Sequence, residues 1–217
     1  MLRYIYADQL DQFPRLADEM FTHRADQFHT RLQWDVNVDA HGHERDEYDD
    51  LNPLYVIWET PQGGHGGSTR FLPTTGPVMV NDHFGHLIDA PITSPLIWEC
   101  TRFCMAPGQG PHVAAALMLG GGELMNGFSV RHFVGVFDAR MVRIYSRVGS
   151  SPEVLGSTGE GRARISVGLW EFQQDAQLRV AARAGIPPEI SRAWFDRAFG
   201  AQAHGANDFD TEFAASA

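Results

Sequence analysis

Short runs rich in β-branched and aromatic residues recur along this chain, with helically spaced apolar segments between them, and that alternation leaves few architectures open. Residues 3–6 alternate in character and predict a first strand. Asp8 can cap a helix that carries Leu10, Phe13, Leu16 and Met20 at helical spacing, and Pro14 splits it into two short pieces. PLYVIWET, the turn QGGHGG and STRFLPT predict a hairpin, and LIWECTRFCMA a further strand. HVAAALMLGGGELMNGF has helical spacing weakened by Gly120 to Gly122. HFVGVF predicts a buried strand, and DARMVRIYSRVG a short helix ended by Gly149. EVLGS and RISVGLWEF close the sheet, and two helical stretches follow, around Leu178 to Ala181 and from Ile186 to Phe199. Strands and helices so interleaved predict an α/β or α+β sandwich.

The 217 residues suffice for one well-packed domain, expected over 1–200, with 201–217 expected as a flexible tail. A formal charge of −10 argues against a nucleic-acid partner, since phosphate contacts need a basic face. All seventeen fixed cations are arginine. Arg3, Asp8 and Asp11 interrupt any N-terminal secretory segment, and no apolar run is long enough to span a bilayer, so a cytoplasmic protein with no membrane contact is expected. Cys100 and Cys104 cannot complete a tetrahedral zinc site alone and are expected as buried fillers. His41 and His43 lack a third ligand at metal spacing, so no metal is expected.

Residues 24–50 are polar, aromatic-studded and acidic toward the end, a composition that marks a long segment as functional or mobile. Arg24 and Phe28 lie one helical turn apart, and Trp34 follows. Asp46 and Asp49 sit in ERDEYDD, Arg70 heads RFLPTTGP, and Glu99 and Arg102 lie in WECTRF. Glu99 and Arg102, three apart in a strand, need a twist or bulge to converge.

These stretches, in this order and approximate spacing, resemble the acyl-homoserine-lactone synthase (autoinducer synthase) family, whose pattern runs Arg-x3-Phe, Trp, Asp-x2-Asp, Arg, then Glu-x2-Arg. Arg24, Phe28, Trp34, Asp46, Asp49, Arg70, Glu99 and Arg102 fill all eight positions, and RFLPTTGP is also typical of the family. The resemblance covers about residues 1–172. It implies an acetyltransferase-like (GNAT-like) three-layer sandwich with a twisted mixed sheet splayed into a V. It also implies a reaction: acylation of the amine of S-adenosylmethionine by an acyl-carrier-protein thioester, or acyl-CoA in some members. The methionine carboxylate then closes on its own γ-carbon and expels methylthioadenosine. S-adenosylmethionine is a substrate in this scheme, and no prosthetic group is implied.

The residue types suit that chemistry. Aromatic faces attract a desolvated sulfonium, so Phe28 and Trp34 are candidates to hold it. Asp46 and Asp49 can hold the ammonium, and Arg24 or Arg70 can pair with the carboxylate. Glu99, directly or through a water, is the candidate base, with Arg102 beside it as a second catalytic candidate. Backbone N–H groups near the splayed strands are expected to steady the oxyanion. Arg140, Arg143 and Arg147 fall on one helical face and could dock an acidic acyl carrier protein. Gly135 stands where many family members that accept 3-oxo chains have threonine. Its lack of a hydroxyl and the space it leaves predict an unsubstituted or 3-hydroxy chain of more than six carbons. Two alternatives remain, a GNAT-type acyltransferase acting on another amine and a non-catalytic binder of S-adenosylmethionine or acyl chains. QGPHVAAA around Gln109 does not supply the pyrophosphate-binding turn usual in acetyl-CoA enzymes.

Overall fold

The computed structural model describes residues 1–200, so the tail expected over 201–217 lies outside the described residues. Four antiparallel strands form the first half of the sheet: β1 (Leu2–Tyr6), β2 (Leu54–Glu59), β3 (His65–Pro73) and β4 (Ile97–Met105). β5 (His132–Asp138) runs parallel to β4, and β7 (Ile165–Glu171) and β6 (Glu153–Thr158) complete the order β1-β2-β3-β4-β5-β7-β6. β4 and β5 pair only through Ile97, Trp98 and Glu99, opposite His132, Phe133 and Val134. Past that point the two halves of the sheet are not joined, which is the V that the family resemblance implies.

Alternation along β2 divides the core. Leu54 and Val56 face α3 (Pro111–Gly127), α5 (Gln174–Ala184) and α6 (Pro188–Phe199). Tyr55 and Ile57 face the opposite layer, where Leu16, Met20 and Phe21 of α1 (Pro14–Ala25) cover them. Each fully buried Leu or Val contributes about 1.5–3 kcal/mol relative to exposure. A third cluster, Tyr48, Leu72, Val78, Val80, Val134 and Val167, bridges the two halves beneath α2 (Met79–Phe84). The result is a three-layer α/β sandwich with a mixed sheet.

Pro14 does divide the first helical segment: a 3-10 stretch, Ala7–Gln12, precedes it, and Pro14 opens α1 at a position where its missing N–H costs nothing. Two glycine clusters read differently in the fold than in the sequence. The expected turn at 62–67 shrinks, because β3 already begins at His65. A Cβ on Gly66 would lie 2.6 Å from Trp58, and one on Gly67 3.0 Å from the Cys104 carbonyl oxygen, so these glycines serve close strand packing. Likewise Gly120 to Gly122 do not interrupt α3; a Cβ on Gly120 would lie 2.6 Å from the Val56 methyl, so glycine lets the helix pack closely on β2. α4 (Ala139–Val148) starts on Asp138, whose carboxylate accepts the backbone N–H groups of Arg140 and Met141, and it ends at Gly149 in the left-handed conformation.

Candidate functional site

Downstream of α1 the helix widens at Asp26–Arg31, where Leu32 donates back to the Gln27 carbonyl five residues away. Such widened turns recur at functional sites. Here the turn sets the Phe28 ring parallel to Trp34, at 5.3 Å between centroids and 14° between planes. The spacing of Asp46 and Asp49 has a local cause. Asp46 caps the 3-10 turn Glu47–Asp50 and accepts the Tyr48 N–H, while the Asp49 carboxylate accepts the Asp46 N–H at 2.9 Å. This reciprocal cap orients both carboxylates from within the turn itself.

The arginines then lock onto them. Arg24, fully buried, donates from Nε to Glu44 at 2.6 Å and from both terminal nitrogens to Asp49 at 2.9 and 2.8 Å. Arg70, also fully buried, reaches Asp49 at 2.8 Å, both oxygens of Asp46, and the Thr101 hydroxyl at 3.1 Å. Arg102 bridges Glu44 at 3.0 Å and Asp46 at 2.7 Å. The Tyr55 hydroxyl donates to Asp49 at 2.6 Å. Burial opposes the charge on Asp49, but its bonds to Arg24 and the nearby Arg70 hold the carboxyl well below the usual range.

Glu44 and Tyr55 went unnoticed in the sequence. The signal for Glu44 was a charge imbalance, since three guanidiniums headed for burial require a third carboxylate. Arg24 and Arg70, expected as partners of a substrate carboxylate, lie inside this network. Both are enclosed, with three nitrogens each committed to protein oxygens, and Asp49 is sealed in with them. They form the rigid bed beneath the site. Of this network, Asp46 and Arg102 reach the surface, with side chains 11% and 12% exposed.

The bulge required between Glu99 and Arg102 is present. Two steps along β3, Ser68 to Arg70, face three along β4, Cys104 to Thr101, and Arg102 takes a left-handed φ of 52°. Glu99 and Arg102 nevertheless do not meet; they converge on Met79. The Glu99 carboxylate accepts the N–H groups of Met79 at 3.1 Å and Val80 at 2.6 Å, and Arg102 contacts the Met79 sulfur at 3.8 Å. Glu99 is 1% exposed, and burial pushes its carboxyl up to about 6 against the pull of those two bonds. Each carboxylate oxygen thus accepts one backbone N–H, and the side chain lies behind the start of α2.

Two cavities flank the β4–β5 divergence. A cleft of about 980 Å³ is lined by Phe28, Trp34, Asp46, Met79 and Arg102, and also by Arg31 and Arg45. A narrower, mostly apolar cavity of about 130 Å³ runs between the sheet and α3 and α5, past Phe71, Leu117, Phe133 and Trp170. Thr101, Arg102, Phe103, Val136 and Tyr145 line both, so the two spaces meet where the sheet splits.

Gly135 lines the apolar cavity, but it does not simply leave room there. A Cβ at this position would lie 2.7 Å from the Cys100 carbonyl oxygen, so glycine lets β4 and β5 stay close as they part. Cys100 also lines this cavity and Cys104 is fully buried; burial pushes both thiols up to about 12. On α4, Arg140, Arg143 and Arg147 of the expected stripe are all exposed, and Arg140 is also paired with Asp138 at 2.6 and 2.9 Å while the other two carry no side-chain ion pair among the described residues. Among the described residues no group of three His, Cys, Asp or Glu is placed to hold a metal ion, and no helix is long and apolar enough to cross a membrane.

Comparison with known proteins places this geometry in context. The model of the autoinducer synthase family matches residues 9–180. Over 183 residues the chain is 40% identical to an acyl-homoserine-lactone synthase of Rhizobium etli, covering 81% of this chain and 86% of that protein. It is 28% identical to an acyl-homoserine-lactone synthase of Agrobacterium fabrum, over 77% of this chain and 86% of that one. Among solved structures, the CoA-dependent synthase BjaI with S-adenosylmethionine and isopentyl-CoA superposes with a TM-score of 0.77 at 22% identity, over 86% of this chain and 90% of that one. The synthase LasI gives 0.73 at 25% identity, over 84% and 94%. A putative N-acetyltransferase from Lactobacillus plantarum gives 0.53 at 13% identity, over 79% and 99%, so the fold extends to that broader class.

Proposed function

The chain belongs to the autoinducer synthase family, and from that premise we propose that it acylates S-adenosylmethionine and releases an acyl-homoserine lactone. The observation that carries this reading is the junction of two unlike cavities. One is roomy, rimmed by aromatics and charge; the other is narrow and apolar; they share the wall formed by Thr101, Arg102, Phe103, Val136 and Tyr145.

S-adenosylmethionine occupies the larger cleft with its sulfonium against the Phe28–Trp34 stack, each ring contact contributing about 0.5–2 kcal/mol to a desolvated cation. Asp46, braced by Arg70 and Arg102, faces the ammonium. Arg31 and Arg45, which line the same cleft, replace Arg24 and Arg70 as partners for the carboxylate. The acyl chain enters the apolar cavity with its thioester at the junction. That cavity is comparable to the ~150 Å³ space that accepts benzene, so the enclosed part suits a tail of about six carbons.

The amine must lose a proton before it attacks. An α-amino group titrates near 8, so at neutral pH a fraction of about one tenth is already free and a water can carry the proton away. Glu99 is then a positioning residue: it holds the start of α2, and with it Met79, against Arg102. The amine nitrogen adds to the thioester carbon, and the tetrahedral oxyanion takes N–H donors from the strand edges beyond the Glu99–Val134 pair. The C–S bond breaks, and the nitrogen's second proton passes through water to the departing thiolate, leaving amide and thiol. The methionine carboxylate next attacks its own γ-carbon, the carbon–sulfonium bond breaks, and methylthioadenosine leaves. An acyl carrier protein delivers the thioester, docking on Arg143 and Arg147 in the cytoplasm, with acyl-CoA the alternative donor. Incubation with S-adenosylmethionine and a panel of both donor types should yield lactone and methylthioadenosine in equal amounts by mass spectrometry. If neither forms with any donor, the assignment fails.

A further inference from the structure

Tyr145 is 9% exposed, and two edge-on aromatic contacts hold its ring, Phe137 at 5.4 Å and Trp170 at 5.0 Å. Its hydroxyl therefore has a fixed position. Among the described residues that hydroxyl has no hydrogen-bond partner, yet it is not sealed off as the Tyr4 hydroxyl is. The contrast with Tyr48 and Tyr55 is clear, since their hydroxyls donate to Asp82 and Asp49. Three other polar side chains on the apolar cavity wall are already engaged. Thr69 is bonded to the Thr101 carbonyl and to the Cys100 sulfur, Gln177 donates to Glu123, and the Trp170 indole donates to the Ser150 carbonyl. The Tyr145 hydroxyl keeps its donor and lines both cavities at their junction; Thr101, which also lines both, already accepts from the buried Arg70.

We propose that the Tyr145 hydroxyl binds an oxygen on carbon three of the acyl chain and so selects 3-hydroxy or 3-oxo donors over unsubstituted ones. The inference rests on the assignment of the apolar cavity to the acyl chain. The thioester lies at the junction, so the groups beside Tyr145 are the first carbons of the chain and not its tail. An unsubstituted chain would cover the phenol without satisfying it, and a site built to bond a substrate oxygen rejects the analogue that lacks one. Burial raises the Tyr145 phenol well above its ordinary range, with Cys100 and Asp138 adding to the effect, so it stays a donor at any working pH. The hydroxyl that Gly135 lacks is supplied from α4.

The test compares octanoyl, 3-hydroxyoctanoyl and 3-oxo-octanoyl thioesters, loaded on acyl carrier protein and on CoA, with native enzyme and Tyr145→Phe. Phenylalanine keeps the ring and its aromatic contacts. The native enzyme should favour at least one oxygenated donor over octanoyl by roughly tenfold or more in kcat/KM. Its order between hydroxy and oxo identifies which is read. Tyr145→Phe should bring that ratio to within about twofold of one. An unchanged ratio, or an equal fall for all three donors, would overturn the proposal, the latter because the hydroxyl would then act on the thioester. Lactone from none of the donors with native enzyme would instead sink the synthase reading on which it rests.

Discussion

Arg24 and Asp49 form a two-point ion pair at 2.9 and 2.8 Å in which neither side chain is more than 2% exposed. Removing one member of such a pair strands the other charge, which typically costs about 3–5 kcal/mol. Asp49→Asn should therefore destabilise the fold by about that amount in urea titrations at pH 7, whether or not substrate is present. The pH dependence has a definite sign. Because the folded carboxyl of Asp49 sits far below its unfolded value near 4, its stabilisation is complete above that pH and fades as acid is added, down through the depressed folded value. Asp49→Asn should flatten the acid limb of the stability curve, and an unaltered limb would show that other carboxylates govern it.

Glu99 behaves in the opposite sense. Its folded carboxyl, near 6, binds a proton more tightly than in the unfolded chain, so stability should fall as pH rises from about 4.5 through 6. A shift of that size amounts to about 2 kcal/mol. Glu99→Gln removes this dependence and keeps an oxygen that can accept one of the two N–H groups of α2. As a positioning residue Glu99 should tolerate glutamine with at most about a tenfold loss in kcat, while Glu99→Ala should lose much more. A base would lose about 10²–10⁴-fold with either replacement. Equal, severe losses in the two variants would restore Glu99 as the proton acceptor.

Trp34 is half-buried, stacks on Phe28 and lines the larger cleft, and on the proposed reading it senses the sulfonium charge. Trp34→Ala should weaken S-adenosylmethionine binding by about 2- to 30-fold, the equivalent of ~0.5–2 kcal/mol. Methylthioadenosine has the same nucleoside but a neutral sulfur, so its affinity should fall less. Calorimetric titration of both ligands separates the two effects. Equal losses would mean that Trp34 packs on the nucleoside and does not sense the charge.

Much of this was legible in the sequence, and the misreadings have identifiable causes. Strand and helix runs revealed the sandwich because each buries one face, and residue types at family spacing revealed which side chains gather. Spacing does not tell which of the gathered charges face water. Arg24, Arg70 and Asp49 read as ligands in the sequence and are buried in the fold, where three guanidiniums and three carboxylates, Glu44 among them, pair with one another. Glycines were the other blind spot. Gly66 and Gly67 read as part of a turn and Gly120 as a weakness in a helix, yet each sits in regular structure where a neighbouring strand or side chain leaves no room for a Cβ. That information is tertiary, and no local window contains it. Tyr145 was unreadable for the same reason, since only the fold leaves its hydroxyl without a partner.

Arg143 and Arg147 carry the last prediction. Both are exposed on α4, and the Arg147 carbonyl accepts from Arg183, so a further cation from α5 lies beside them in a chain of net charge −10. An acidic carrier protein approaching such a molecule is repelled by most of its surface and steered toward this patch. Replacing both arginines with glutamate should raise KM for acyl carrier protein donors by roughly tenfold or more and leave KM for S-adenosylmethionine within about twofold. The native enzyme's carrier KM should itself rise with added salt, because exposed charges are screened beyond about 8–10 Å at physiological ionic strength. Arg140 is excluded from the variant since it is spent on Asp138 beside the cleft. If the double reversal leaves carrier kinetics and their salt dependence untouched, the donor docks elsewhere, and these arginines are only a solvated helix face.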